Sequence, residues 1–314
     1  MSPRRSAFID VGTNTVLCLI ADVRDTGRFR VLDDLAEIAR LGQGVDQTGM
    51  ISPAGEERAM AILARYRERC DDLGVEEITA VGTSALRDAK NSDQVRAHIR
   101  DALGIDIRVI SGAEEAEYSF LAVRRGLSHL ADELVVIDIG GGSTEFILGN
   151  KNGVSRALSI DVGSVRLTER YLHSDPVCAE EVTAMGTAIE AHLAVIRSEI
   201  IAQASSPTLV GIAGTFTTLA AIEKKLARYS ASQVHGSVLN LPEVKRQVAM
   251  LQSRTIAERK QIAGLEPKRA DVIFAGAYLI EKIMGLFGAS QVVVSDQGVR
   301  YGLLHEAANR SKFC

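Results

Sequence analysis

The chain has 314 residues, 46% of them hydrophobic and 24% charged, with a formal net charge of −4. That is ordinary globular usage and enough length for two domains with ample cores. The acid excess argues against nucleic-acid coating, so a polyanion would have to be held by a local basic site, a metal ion or aimed backbone N–H groups.

Residues 6–11 and 15–23 read as two strands around a glycine-containing turn, and 28–41 as a further strand and its return. Ser52-Pro53 opens a helix, with Ser as N-cap and Pro at its first position. Ala59, Leu63, Tyr66, Cys70 and Leu73 give it one apolar face, and Gly74 ends it. EEITAVG (76–82) is a strand, 92–103 a helix, IDIRVI (105–110) a strand and SGAEEAEYSFLAVRRGL (111–127) a helix. The second half restarts in the same way. ELVVID and TEFILG are strands around a triple glycine, a third strand lies near 154–161, and Asp175-Pro176 opens a long helix to about 203. PTLVGIAGTFTTLAAI (207–222) is strand, turn and helix; 223–270 is mostly helical and charged. A buried helix (270–288), a strand (290–298) and a closing helix complete the pattern. The fold class is therefore α/β. No apolar run reaches the ~18 residues of a membrane helix, and no signal-peptide pattern precedes the first strand. Cys18, Cys70, Cys178 and Cys314 lie far apart without a CxxC. Neither zinc nor a disulfide framework is expected, and a cytoplasmic location is.

The organising feature is an internal repeat. IDVGTNT (9–15) aligns without a gap on IDIGGGS (137–143), so Asp10 corresponds to Asp138, 128 residues on (138 − 10). Glycines after a strand let backbone N–H groups approach an anion, and several together make a nest for phosphate oxygens. Gly12, Thr13 and Asn14 would form one nest; Gly140, Gly141, Gly142 and Ser143 would form the other, with Thr13, Thr15 and Ser143 adding hydroxyls. A carboxylate beside phosphate is repelled unless a cation lies between. Asp10 and Asp138 thus imply Mg²⁺, with Mn²⁺ as an alternative, and Glu145 points to the same side as Ser143 and completes the metal or water network. The competing reading of either turn alone is a tight hairpin with Asp as turn former. Two such α/β halves facing each other would set both turns on opposite walls of one cleft.

Three more places belong to this chemistry. Gly214 and Thr215 lie where a strand hands over to a helix, offering free N–H groups or simply a cap. Arg87 follows a strand end and suits phosphate, or pairs with Asp88 or Asp93 on the surface. Ser111 and Glu114 fit a capping box, which gives Glu114 a structural task. Glu115, about 100° further round the helix, is free to act as a general base on water if that helix start borders the cleft. No Ser or Cys is placed with a base to act as nucleophile.

IDVGTNT, VGTSALRDAKN, ISGAEEAE, VIDIGGGSTEF, GIAGTFTTLAAI, EPKRADVIFAGA and SDQGVRYGLL occur in this order. Together, from about residue 6 to 305, they resemble the exopolyphosphatase / guanosine pentaphosphate phosphohydrolase family of the actin-like superfamily. The resemblance implies an actin-like ATPase fold of two ribonuclease-H-like domains around a cleft. Domain I would span 1–125 with a returning helix at 299–314, and domain II would span 126–298. It implies Mg²⁺-dependent removal of the terminal phosphate of inorganic polyphosphate, or of the 5′ γ-phosphate of guanosine pentaphosphate. By matching position it makes Glu115 the catalytic base, with Arg87 reaching in. It puts Asp138 and Glu145 on the metal and water, and both turns on phosphate. A homodimer is expected. The chain ends soon after SDQGVRYGLL, without the further helical domains of longer members, which favours short chains or the alarmone. It also writes Ala213 where a second glycine is expected before Gly214. An actin-like kinase or ATPase, and a non-catalytic alarmone-binding regulator, are the alternatives.

Overall fold

The computed structural model describes residues 3–24 and 26–310. The chain divides into two compact units, residues 1–122 with 299–314, and residues 123–298.

The first unit opens with β1 (Arg4–Val11), β2 (Thr15–Val23) and β3 (Phe29–Ile38), an antiparallel meander. There follow α1 (Val45–Thr48), α2 (Pro53–Asp72), β4 (Glu77–Gly82), α3 (Ser84–Asp88), α4 (Ser92–Leu103), β5 (Ile107–Val109) and α5 (Gly112–Gly126). β4 pairs parallel to β1, and the sheet order is β3-β2-β1-β4-β5. The expected caps are present. The Ser52 hydroxyl accepts from the Gly55 N–H, and Gly74 (φ 65°) closes α2 in the left-handed region where glycine carries no Cβ penalty. Ser111 and Glu114 form their reciprocal box at the start of α5.

The second unit contains β6 (Leu134–Ile139), β7 (Thr144–Asn150), β8 (Gly153–Ile160), α6 (Ser164–Tyr171), α7 (Ala179–Glu199), β9 (Thr208–Ile212) and α8 (Ala213–Glu223). It continues through α9 (Ala231–Val234), β10 (Val238–Asn240), α10 (Leu241–Gln252), α11 (Ile256–Arg259), α12 (Ile273–Phe287) and β11 (Gln291–Val294). Its sheet order is β10-β11-β9-β6-β7-β8. Without the edge strand β10 this is the order of the first sheet, strand for strand, so the repeat in sequence is a repeat in topology. The last helix, α13 (Val299–Arg310), belongs to the first unit; Cys314 lies outside the described residues.

Two expectations need correction. The long helix starts at Ala179, not at Pro176, because Glu181 reaches back from its first turn and accepts the N–H groups of His173 and Ser174. Those bonds hold the preceding residues as a loop. The segment 223–270 is not simply helical, because it donates β10 to the sheet edge, antiparallel to β11. Among the described residues no helix is long and apolar enough to cross a membrane.

Strand alternation decides where the acids point. In β1, Ala7, Ile9 and Val11 enter the core under α2 and α4, and Phe8 enters the cluster formed with α13. Asp10 shares the Phe8 face. In β6, Val135, Ile137 and Ile139 lie in the large core of the second unit, so Asp138 lies on the opposite face.

Candidate functional site

The two turns are closed by the same bond. The Gly12 N–H donates to the Thr15 carbonyl and the Gly140 N–H to the Ser143 carbonyl, each at 3.0 Å. In each, a Cβ on the glycine would crowd that carbonyl, at 3.0 Å for Gly12 and 3.2 Å for Gly140. Each turn is also held from behind by the segment after its third strand. The N–H groups of Ala39 and Arg40 donate to Asn14, and that of Gly42 to Thr13. In the second unit, Ser164 N–H donates to Gly140, those of Val165 and Arg166 to Gly141, and the Arg166 Nε to the Gly142 carbonyl at 2.7 Å. A trans peptide points its N–H opposite to its C=O. With the carbonyls of 140–142 tied back, the N–H groups of 141, 142 and 143 face the other way, as an anion nest requires. The same holds for Asn14 and Thr15.

The turns differ in what stands opposite their aspartates. Asp10 pairs across the hairpin with Leu17, whereas Asp138 pairs with Glu145. Cross-strand partners hold their Cβ atoms about 5 Å apart on one face, so Asp138 and Glu145 form a carboxylate pair. Glu145 is 3% exposed, and its Oε1 accepts from the hydroxyls of Ser143 (2.7 Å) and Ser159 (2.8 Å). A serine hydroxyl has one hydrogen. Ser143 therefore does not donate its hydroxyl to a phosphate while it serves Glu145, a correction to the sequence reading; its contribution to the nest is its backbone N–H.

Glu115 and Arg87 meet. The Arg87 Nη1 donates to the Glu115 Oε2 at 2.6 Å and to the Ile110 carbonyl at 3.1 Å. Arg87 thus clamps the start of α5 rather than pairing with Asp93. Glu115 is 8% exposed. Burial pushes its carboxyl above the usual range, Arg87 offsets part of that, and Asp88 adds to the rise. Such a carboxylate is a better base at neutral pH than an exposed one. Asp10 is perturbed in the same direction, to about 7, first by burial, then by the charge of Glu115, with Arg300 opposing. Arg300, from α13, is itself fixed by Asp34 at 2.8 Å.

The third turn departs from its expected form. Ala213 takes the place of a glycine in the left-handed region (φ 66°) and begins α8. A side chain on Gly214 would strike the Arg269 guanidinium, so that glycine makes room for a cation at a helix N-terminus. Thr215 lies against Gly276 of α12. Burial pulls the Arg269 pKa down. Sequence reasoning passed over Arg269 and Arg166, although EPKRAD and VGSVR placed a cation in each segment.

Among the described residues no three His, Cys, Asp or Glu side chains form a group that could hold a metal ion. The donors present still fit Mg²⁺, which takes one or two carboxylates and completes its shell with water and phosphate oxygens. Asp10 Oδ1 is buried without a hydrogen-bond partner, a state a cation would relieve. Asp138 and Glu145 supply an adjacent pair.

Residues 19–311 match the Ppx/GppA phosphatase family. The chain is 36% identical over 315 residues to exopolyphosphatase 2 of Mycobacterium tuberculosis, covering 96% of this chain and 98% of that protein. It is 28% identical to the guanosine-5′-triphosphate,3′-diphosphate pyrophosphatase of Photobacterium profundum, covering 98% of this chain and 60% of the longer relative. The crystal structure of an exopolyphosphatase from Cytophaga hutchinsonii superposes with a TM-score of 0.90 at 31% identity, covering 98% of each chain.

Proposed function

The chain belongs to the Ppx/GppA phosphatase family, and on that premise we propose that it removes the terminal phosphate of inorganic polyphosphate, or the γ-phosphate of guanosine pentaphosphate, by attack of a water activated by Glu115. The enzyme is a hydrolase acting on phosphoric anhydrides. Phosphoryl transfer asks a protein for positioning and charge neutralisation more than for covalent chemistry. The N–H groups of residues 141–143 and of Asn14 and Thr15 take phosphate oxygens. Gly214, Thr215 and Arg269 add a helix N-terminus and a cation. Glu115 orients the water and accepts its proton, and Arg87 holds the carboxylate in place. Mg²⁺, at Asp138 and Glu145, would neutralise charge between these acids and the phosphate oxygens.

The observation that carries this reading is Glu115: a buried carboxylate of raised basicity, held by an arginine, one helical turn from a cap that needs only its neighbour. The test is phosphate release from tripolyphosphate, long polyphosphate and guanosine pentaphosphate, each with Mg²⁺ and with EDTA. Release that requires Mg²⁺ is expected from at least one of the three. No release from any of the three, or transfer of phosphate from ATP to a small molecule instead, would overturn it.

A further inference from the structure

We propose that Ser159, an edge-strand residue outside the repeated motif, is a positioning residue for this reaction, acting through Glu145. The inference rests on the functional reading above. The register of the second sheet places Asp138, Glu145 and Ser159 in one row across β6, β7 and β8. Along that row exposure rises from the buried Glu145 to the exposed Ser159. An exposed serine on an edge strand has water for its hydroxyl and needs no protein partner. This one is turned inward instead, 2.8 Å from Glu145 Oε1.

The geometry gives that bond a specific task. Ser143 and Ser159 both donate to the same oxygen of Glu145, one from the turn and one from β8. Two donors on one oxygen fix both the position of the carboxylate and its rotation. Losing one of the two loosens that hold. Ser143 is itself the last residue of the nest, so the orientation of Glu145 also fixes where the Ser143 hydroxyl directs its hydrogen and its lone pairs. Ser159 therefore sets the shape of the acid side of the turn without touching substrate. Removal of a group that holds a reacting constellation in register costs rate more than binding.

The experiment compares Ser159→Ala, Ser159→Thr and wild type in tripolyphosphate hydrolysis, tripolyphosphate binding by calorimetry and thermal unfolding. For Ser159→Ala the expected result is a kcat lower by roughly ten- to hundred-fold. KM and calorimetric affinity should stay within about twofold and Tm within about 2 °C, as for an exposed site. Ser159→Thr, which keeps the hydroxyl, should recover most of the lost kcat. Wild-type kcat in Ser159→Ala refutes the inference. So does a Ser159→Thr as slow as Ser159→Ala, which would mark a steric effect of the strand. A loss in KM and Tm together, with kcat kept, also refutes it by showing a merely structural serine. A wild-type protein that releases no phosphate refutes the functional reading, and the inference falls with it.

Discussion

Asp10→Asn should make the protein more stable and less active, and the gain should grow with pH. Burial raises the Asp10 carboxyl to about 7 in the folded chain, against an ordinary value of 3.8. Each unit of pKa difference is 1.36 kcal/mol, so ionised Asp10 costs the folded state about 4 kcal/mol. That figure is a ceiling, because Asp10 is only part-buried and keeps some hydration. The sign follows from the direction. A raised folded pKa means that the native state keeps its proton longer than the unfolded chain, so the contribution is fully present below about pH 4. It is lost as pH rises towards 7. Asparagine does not titrate. In EDTA, urea unfolding of the two proteins should give similar free energies at pH 4, diverge between pH 4 and 7, and run parallel above that. Phosphate release in Mg²⁺ should fall in the variant across the range. Glu115 supplies part of the rise, so the gain should shrink in a Glu115→Gln background. Wild-type and variant stabilities that stay parallel from pH 4 to 8 would refute the reasoning.

Glu115→Gln keeps a hydrogen-bond acceptor for Arg87 but loses the base; turnover should fall by roughly 10²–10⁴-fold with tripolyphosphate binding retained, and near-normal turnover would sink the assignment. Ala213→Gly relieves a left-handed backbone, so it should stabilise the protein by about 1 kcal/mol in denaturant titration, and a destabilised variant would show that Ala213 bears no strain. Gly302→Ala would push a methyl to within 2.6 Å of the Tyr118 carbonyl carbon in α5; about 1–3 kcal/mol of stability should be lost, and kcat should drop with it because Glu115 rides on the same helix.

Much of this was legible in the chain, for identifiable reasons. Ser52-Pro53, Gly74 and the Ser111/Glu114 box are local rules, and local rules survive folding. The correspondence of Asp10 with Asp138 was legible because a repeat needs no knowledge of contacts. The contacts themselves were not. Arg87 and Glu115 are 28 residues apart and meet because α3 and α5 follow β4 and β5, which pair in parallel. The Asp138–Glu145–Ser159 row depends on a register shift between Leu148 and Gly149, which no turn signal announces. Ser143 looked like a phosphate donor because its residue type allows it. Only the position of Glu145 shows that its single hydrogen is already taken.

Gly163 lies outside every signature of the turn, yet a Cβ there would come within 2.6 Å of the Gly142 nitrogen. On the proposed reading the glycines inside IDIGGGS serve the ligand, and Gly163 leaves room for them. A descendant could keep the whole signature, replace Gly163 and lose the nest. Diagnosis of inactive relatives should therefore score this position, 25 residues after Asp138 (163 − 138), alongside the acids. A gene that retains the emblem and not its support has become a pseudoenzyme while still reading as a phosphatase.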